Sequence, residues 1–290
     1  MDAELLSLVK NIREDIDHGA SYLSREAVAT LGFVAQTSKA KNQQQLLNEF
    51  TETANLLIDA RPSMMAIQNM VQALSQKVYQ KAEIDITLDE LKSSISSMSK
   101  QSIEDSLIAS ERVSRLASQL VEDNDIVMSC SYSATIIQAL KLAKISGRCF
   151  SVVLAESHTR NGSNYGGVTA KELDSLGIAC QVIADTYIQY HILQSSKIIV
   201  GIDTIIANGS IVNGKPSYVL ATEAKQAGIP FIAIGEASKL DRHGYFNRQS
   251  NLEVGFEVIP AELITAIITE QGRVSPERID EVCEILDRIL

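Results

Sequence analysis

The chain has 290 residues, of which 45% are apolar, so it is long enough for one large or two medium domains. Its formal net charge of -10 argues against a nucleic-acid partner, because a protein that binds nucleic acid presents a basic face. No apolar stretch reaches the roughly 18 residues that span a bilayer, and the N-terminus carries no signal-peptide core. We therefore expect a cytoplasmic protein without a membrane partner.

The first part of the chain, residues 1–117, has the pattern of a helical domain, because its apolar residues recur at helical spacing. Gly19 is expected to break the first helix from the second. Pro62 is expected to begin a later helix, since proline is tolerated in a first helical turn. Residues 83–120 are predicted to form one or two long helices.

From about residue 118 onward, short β-branched runs alternate with helical segments. This alternation predicts a parallel sheet with right-handed crossovers, so we expect an α/β fold whose second domain covers residues 118–290. Residues 256–272 are expected to add one more strand pair or an interface arm. The predicted strands lie in five runs: 125–131, 149–156, 179–186, 198–203 and 230–237.

The sequence gives no signal for a metal or a cofactor. The four cysteines are not paired at close spacing and the four histidines are scattered, so neither a metal site nor a disulfide framework is predicted. The chain has no GxGxxG segment and no Walker loop, so no dinucleotide or ATP cradle is predicted either. We expect no cofactor. The cysteines are Cys130, Cys149, Cys180 and Cys283.

The segment 197–218 carries the clearest functional signal. It opens with an apolar run that predicts a buried parallel strand, and Asp203 stands where that strand should end. The pairs Asn208-Gly209 and Asn213-Gly214 follow it and predict tight turns. An acid at a strand tip followed by turns is typical of an active-site rim, but a carboxylate that merely caps a helix or turn is an equally good interpretation.

Other polar residues follow the predicted strands at the same edge of the sheet, where open α/β sheets bind their ligands. They are Ser129, Cys130, Ser131, Glu156, Asp185, Glu236 and Lys239. Each also has a plainer interpretation, because serine and aspartate often cap helices, a small thiol at a strand end is usually buried, and a lysine is usually solvated. Arg61 could grip a phosphate by a bidentate contact or lie on a helix surface.

Four separated segments, in order along the chain, carry the motifs of a known family. Residues 197–218 resemble the signature GAD-x-I-x-x-NG-x-V-x-NK-x-GT, while 60–69, 168–178 and 256–276 resemble the RPT, TAKEL and IITE segments. The chain thus resembles the family of the alpha, beta and delta subunits of the exchange factor initiation factor 2B, which includes ribose-1,5-bisphosphate isomerase and methylthioribose-1-phosphate isomerase. This resemblance implies a helical N-terminal domain, a Rossmann-like parallel-sheet domain and a homo-oligomer. It also implies that the apolar segment 261–269 belongs to a two-fold interface, unless that segment is an ordinary inner strand.

The resemblance further implies the residues of a sugar-phosphate site. Asp203 matches the family's general acid, and the catalytic cysteine aligns without a gap with Ser131, one residue after Cys130. The family's substrate-binding positions correspond to Gly19, Ala20, Arg61, Ser133, Asn213, Gly214 and Lys239. Arg61, Asp203, Asn213 and Lys239 are expected to converge on one pocket.

Several positions depart from the family's pattern. Ser131 stands at the cysteine, Gly214 at a lysine and His18 at the arginine of an RGA segment. His158 replaces another arginine, although Arg160 is close to it in sequence. A serine is a very poor base unless another group activates it, so catalysis should suffer. The loss of two cationic groups should also weaken the binding of a second phosphate.

Three hypotheses about function therefore stand side by side. The first is a protein that binds a phosphorylated pentose or nucleotide with weak or lost turnover. The second is an active aldose–ketose isomerase of sugar 1-phosphates that uses Asp203 with Cys130 or Ser131. The third is a translation-initiation regulatory subunit without catalysis. A strand register that turns Cys130 into the pocket favours the second, and a pocket filled by side chains favours the third. The departures at Ser131, Gly214 and His18 favour the first.

Overall fold

The computed structural model describes residues 3–158, 162, 164–242, 244 and 252–279. The chain divides into two compact units, Met1–Ile108 and Ala109–Leu290. The division falls inside one long helix, Leu88–Ser118, and the domain boundary predicted at residue 117 lies near the end of that helix. The expected mixed fold, with helices first and a mainly parallel sheet afterwards, is confirmed.

The described part of the first unit is helical, as predicted. Its helices are α1 (Ala3–Glu14), α2 (Ala20–Thr37), α3 (Gln43–Ile58), α4 (Met65–Ala82) and the first part of α5 (Leu88–Ser118). The break at Gly19 is confirmed, because Gly19 is the residue that precedes α2. Pro62 does not begin a helix. The N–H of Met64 bonds to the carbonyl of Arg61 at 3.0 Å, which makes Pro62 part of a turn, and α4 starts only at Met65.

The described residues of the second unit form two sheets. The strands in chain order are β1 (Ile126–Ser129), β2 (Ser151–Ala155), β3 (Ala179–Ile183), β4 (Lys197–Gly201), β5 (Thr204–Ile206), β6 (Ile211–Gly214), β7 (Phe231–Ile234), β8 (Leu240–Asp241), β9 (Phe256–Ile259), β10 (Ala266–Thr269) and β11 (Gly272–Val274). The larger sheet has the order β11-β10-β7-β4-β1-β2-β3. Its strands run parallel except β11, which pairs antiparallel with β10. The five predicted strands are all present in it.

Helices cover both faces of this sheet, which explains why its strands read as nearly continuous apolar runs. They are α6 (Ala134–Ile145), α7 (Tyr165–Ser175), α8 (Ile188–Ile192) and α9 (Ser217–Ala227). Successive strand residues alternate between the two apolar layers: Val127 packs with residues of α6 and α7, and Met128 with residues of α8 and α9. None of the helices among the described residues is long and apolar enough to cross a bilayer.

The smaller sheet has the order β8-β5-β6-β9, and its strands β5 and β6 lie in the segment whose Asn-Gly pairs predict turns. The turn at Asn208-Gly209 is present between β5 and β6, and Gly209 has a φ of 83°. The turn predicted at Asn213-Gly214 is wrong. Both residues belong to β6 and pair antiparallel with Glu257 and Phe256 of β9, so a distant strand overrides the local turn preference.

The apolar segment 261–269 does not form an arm. It contains β10, which pairs in parallel with β7 inside the larger sheet. Ile264, Ile267 and Ile268 are buried within the second unit itself. The apolar character of this segment is therefore explained by its place as an inner strand, and it gives no evidence for an interface between subunits.

Candidate functional site

Polar residues stand directly after five adjacent parallel strands, β2, β1, β4, β7 and β10, at their carboxyl ends. Cys130 and Ser131 follow β1, Asp203 follows β4, and Lys239 ends the short 3-10 turn that comes after β7. Because parallel strands end at the same edge of a sheet, these residues share the edge at which open α/β sheets bind their ligands.

Cys130 is held in a buried network that fixes its proton. Its Sγ lies 3.2 Å from the Oγ of Ser217, and it is 1% exposed. The Ser217 hydroxyl gives its single proton to the carbonyl of Gly214 at 2.7 Å and accepts from the Nδ2 of Asn213 at 2.8 Å. Cys130 must therefore be the donor toward Ser217, as a neutral thiol.

The protonation state of Cys130 is also set by its surroundings. Burial raises the pKa of this thiol to about 12; the hydrogen bond with Ser217 lowers it, and the nearby carboxylates of Glu257 and Asp185 raise it. A group with such a pKa stays protonated at neutral pH, so it cannot accept a proton from a substrate carbon. The geometry thus argues against Cys130 as a catalytic base.

Ser131 occupies the rim itself. It is half-buried and adopts a left-handed backbone conformation with a φ of 63°, which is unusual for a residue with a side chain. A Cβ built at Gly214 would stand 2.8 Å from the Ser131 Oγ. The two departures from the family's pattern therefore face each other, with a serine hydroxyl close to a position that carries no side chain.

Ser133 and Asn213 lie beside this rim. Ser133 is the N-cap of α6, where its Oγ accepts from the N–H of Ile136 at 3.4 Å. A Cβ at Gly201, the last residue of β4, would stand 2.9 Å from the Ser133 Oγ and 3.9 Å from the Asn213 Oδ1. A glycine is therefore required at the end of β4 for these two side chains to approach the strand so closely.

Asp203 lies between β4 and β5, two residues beyond the end of the parallel strand. Its backbone N–H donates to the carbonyl of Val212 at 2.9 Å, which ties it to β6, and the residue is half-buried. The sequence thus located the strand end to within two residues. Asp203 therefore follows β4 at the sheet edge where Ser131 follows β1.

Lys239 is not the solvated lysine that its local sequence suggests. It is 5% exposed, and its Nζ lies 3.0 Å from the Oε2 of Glu236, which is 2% exposed. Both belong to the turn after β7. The turn therefore fixes a buried ion pair at the edge of the sheet, and loss of either partner would leave a buried charge uncompensated.

Glu270 is a residue that sequence reasoning missed. It follows β10 directly, and its Oε2 accepts the N–H of Ala237 at 2.8 Å, in the turn that carries Lys239. Burial raises the pKa of Glu270; the nearby Glu236 raises it further, while backbone hydrogen bonds and Lys239 lower it. The signal was an acidic residue at the end of an apolar run, in the segment that was interpreted as an interface.

In the first unit, the residues that match the RGA and RPT segments come together around Asp15. The Nη1 of Arg61 donates to the carbonyl of Asp15 at 2.7 Å, and Arg61 is 9% exposed. The Nδ1 of His18 lies 2.9 Å from the Oδ2 of Asp15, and its ring stacks on Tyr22. Gly19 precedes α2 and the buried Ala20 begins it. Asp15 could not be identified from its sequence, because it binds Arg61 through its backbone carbonyl, a group that every residue carries.

Two further residues of the predicted edge have clear partners. Asp185 accepts the N–H of Ser157 at 3.0 Å, and the Nδ1 of His158 lies 3.4 Å from the Oε2 of Glu156 in an exposed pair. Arg160 lies outside the described residues, as does Cys283. Within the part of the chain that the structure describes, no group of three or more His, Cys, Asp or Glu side chains is arranged to hold a metal ion.

The second unit is a Rossmann-like domain with a polar site at the carboxyl edge of its sheet. The model of the initiation factor 2 subunit family matches residues 17–255, and the chain belongs to that family. It is 26% identical to the ribose 1,5-bisphosphate isomerase of Pyrococcus furiosus, over 94% of this chain and 91% of that protein.

Two solved structures show the same fold. The translation initiation factor eIF-2B of Pyrococcus horikoshii OT3 has a TM-score of 0.83 and 23% identity, and the alignment covers 96% of this chain and 99% of that one. A chain of the tetrameric eIF2B-beta2-delta2 complex of C. thermophilum has a TM-score of 0.79 and 19% identity, with 97% and 94% covered. The relatives therefore include both an isomerase and translation factors.

Proposed function

We propose that this protein binds a phosphorylated pentose or nucleotide at the carboxyl edge of its parallel sheet and has little or no isomerase turnover. The observation that carries the proposal is the state of the Cys130 thiol, which is buried, donates to Ser217 and has its pKa raised to about 12. With Ser131 at the rim in place of a cysteine, no cysteine among the described residues supplies a thiolate there to take a proton.

Binding is supported by the groups that the same edge keeps. They are the Lys239 ammonium, which is paired with Glu236, the Asp203 carboxylate after β4 and the Ser131 hydroxyl at the rim. Phosphate and sugar hydroxyls are recognised by this combination of charge and directed hydrogen bonds. The similarity to a ribose 1,5-bisphosphate isomerase points to a sugar phosphate as the ligand.

The departures from the family's pattern favour a ligand with one phosphate over a bisphosphate. Gly214 and His18 stand where that pattern has a lysine and an arginine. Each charge-assisted contact to a phosphate contributes about 1.5–3 kcal/mol, so their loss should weaken binding of the second phosphate much more than that of the first.

Calorimetric titration tests the proposal, with ribose 1-phosphate, ribose 1,5-bisphosphate and adenosine monophosphate as separate ligands. We expect at least one of them to bind. Compared with an active isomerase measured alongside, this protein should bind ribose 1,5-bisphosphate much more weakly, while its affinity for a monophosphate should differ less. Ser131→Ala should weaken binding about two- to tenfold, the contribution of one neutral hydrogen bond. Ser146→Ala, the same substitution at an exposed serine, is the matched control. The absence of binding for all three ligands would refute the proposal.

An active isomerase is the second candidate, because Asp203 keeps its place after β4. Formation of a ketose bisphosphate from ribose 1,5-bisphosphate, followed by NMR, separates the two candidates. Robust turnover that is lost in Cys130→Ala would favour the enzyme and contradict the weak-turnover proposal.

We also propose that the protein is a homo-oligomer. The support is that a relative of the same fold was solved in a tetrameric complex of beta and delta chains; the segment 261–269 gives none, because it is an inner strand. Light scattering at micromolar concentration should give a multiple of the subunit mass of 31.6 kDa. A mass equal to that of one subunit would refute it.

A further inference from the structure

Two serines with left-handed backbone conformations meet at the ends of adjacent strands. Ser131 follows β1 with a φ of 63°, and Ser157 follows β2 with a φ of 53°. A side chain makes this conformation unfavourable, so it persists only where the surrounding structure imposes it, and such residues cluster at functional sites.

Hydrogen bonds from two elements impose the conformation of Ser131. Its N–H donates to the Oγ of Ser157 at 2.7 Å, and that hydroxyl in turn donates to the carbonyl of Ala155 at 3.2 Å. The Oγ1 of Thr169, on α7, donates to the carbonyl of Ser131 at 3.0 Å. Both backbone groups of Ser131 are thus held by side-chain hydroxyls, and Thr169 is buried.

Ser157 and Thr169 together form a clamp on the backbone of Ser131, and a third side chain fixes Ser157 in place. The carboxylate of Asp185, after β3, accepts the N–H of Ser157 at 3.0 Å. The ends of β1, β2 and β3 and the helix α7 therefore act together on one residue. The direction they impose brings the Ser131 Oγ toward Gly214, where a Cβ would stand only 2.8 Å away.

We propose that Ser157 and Thr169 are positioning residues that hold Ser131 in its left-handed conformation and so fix its hydroxyl for the ligand. The proposal rests on the proposed function, because a bound ligand gives this positioning its purpose. It also gives a role to the segment 168–178, which resembles the TAKEL motif and contains Thr169. The other residues of the candidate site do not explain that resemblance. Thr169 acts through the backbone of Ser131 and need not touch the ligand.

Hydrogen exchange of the free protein tests the clamp without any ligand. Ser157→Ala removes the acceptor of the Ser131 N–H, so exchange of this amide, resolved by NMR, should become about tenfold faster or more. The amides of β1 should keep their rates. Ser146→Ala, the same substitution at an exposed serine, is the control and should leave the Ser131 amide unchanged.

Ligand affinity tests the purpose of the clamp, with ribose 1-phosphate and ribose 1,5-bisphosphate as probes. Thr169→Val should weaken binding about two- to tenfold, the contribution of one neutral hydrogen bond, and Thr169→Ser should restore it. On the background of Ser131→Ala, the same Thr169→Val substitution should change the affinity by less than about twofold, because its effect passes through the Ser131 hydroxyl. A merely structural role would lower the melting temperature equally on both backgrounds and leave the affinity alone.

The outcomes separate this proposal from the one on which it rests. If the wild-type protein binds neither probe, the sugar-phosphate ligand of the proposed function is refuted, and so is the positioning role for that ligand. Hydrogen exchange would still test whether Ser157 holds the backbone of Ser131. If the probes bind but Ser157→Ala leaves the Ser131 amide unchanged, the clamp is refuted alone. Equal loss of affinity from Thr169→Val on both backgrounds would also overturn it.

Discussion

The protonation of Cys130 gives the sharpest prediction about this protein. The perturbation is alkylation by iodoacetamide at neutral pH, which attacks the thiolate and not the thiol. With its pKa raised to about 12, against 9.0 for an ordinary thiol, Cys130 has a thiolate fraction lower by roughly a thousandfold at neutral pH. Its burial also keeps the reagent away from the sulfur, because the residue is only 1% exposed.

The assay is a time course read by peptide mass spectrometry in the native protein. Cys149 is exposed and serves as the control within the same chain. We expect Cys149 to be alkylated fully before Cys130 reacts detectably, and both to react alike after denaturation. Alkylation of native Cys130 at a rate within about tenfold of Cys149, slowed by a sugar phosphate, would show a reactive thiol in the site and refute the reasoning.

Three further predictions concern the buried charged side chains and the packing at the edge of the sheet. Because the pKa of Glu270 is raised in the folded protein, its contribution to stability is lost as the pH rises from about 4 through the raised value. Glu270→Gln should remove this pH dependence in thermal melts, while Glu262→Gln, at an exposed residue, should not. Lys239→Met should lower the free energy of unfolding by about 3–5 kcal/mol in urea titrations, because it takes the ammonium away from the buried Glu236 carboxylate; an effect below about 1 kcal/mol would contradict the buried pair. Gly166→Ala should lower the free energy of unfolding by about 1–3 kcal/mol in the same titrations, because its Cβ would collide with the backbone carbonyl oxygen of Ala155 at the end of β2. An unchanged free energy of unfolding would show that α7 can shift away from this carbonyl.

The sequence predicted the elements whose pattern is local. The helices of the first unit follow from apolar spacing, and the five central strands follow from β-branched runs that are buried on both faces. The smaller sheet could not be predicted in this way. β6 is short, and its partner β9 is distant in sequence, so Asn213-Gly214 has a turn preference that only the pairing with β9 overrides.

The candidate site was predictable in position but not in detail. The strand ends located Asp203, Ser131 and Lys239 at one edge, because parallel strands end together. Burial of Lys239 depends on its pairing with Glu236 in a folded turn, which no local pattern announces. The left-handed conformation of Ser131 depends on hydroxyls from β2 and α7, and contacts of that kind appear only when the chain is folded.

The direction of the Cys130 side chain illustrates the same limit. A one-residue difference in register turns a side chain to the other face of a strand, so the sequence left Cys130 and Ser131 as alternatives. The structure gives Cys130 a buried partner in Ser217 and leaves Ser131 at the rim. Sequence alone could not find this partner, which is 87 residues away in the chain.

The central claim is binding without effective turnover, and one paired measurement tests it most directly. The wild-type protein and Ser131→Cys are each titrated calorimetrically with ribose 1,5-bisphosphate and then assayed by NMR for ketose bisphosphate. We expect both to bind the ligand, the wild-type protein to form little or no product, and Ser131→Cys to gain activity, since a positioned base contributes about 10²–10⁴-fold. Full activity in the wild-type protein, unchanged by Ser131→Cys and abolished by Cys130→Ala, would contradict the account.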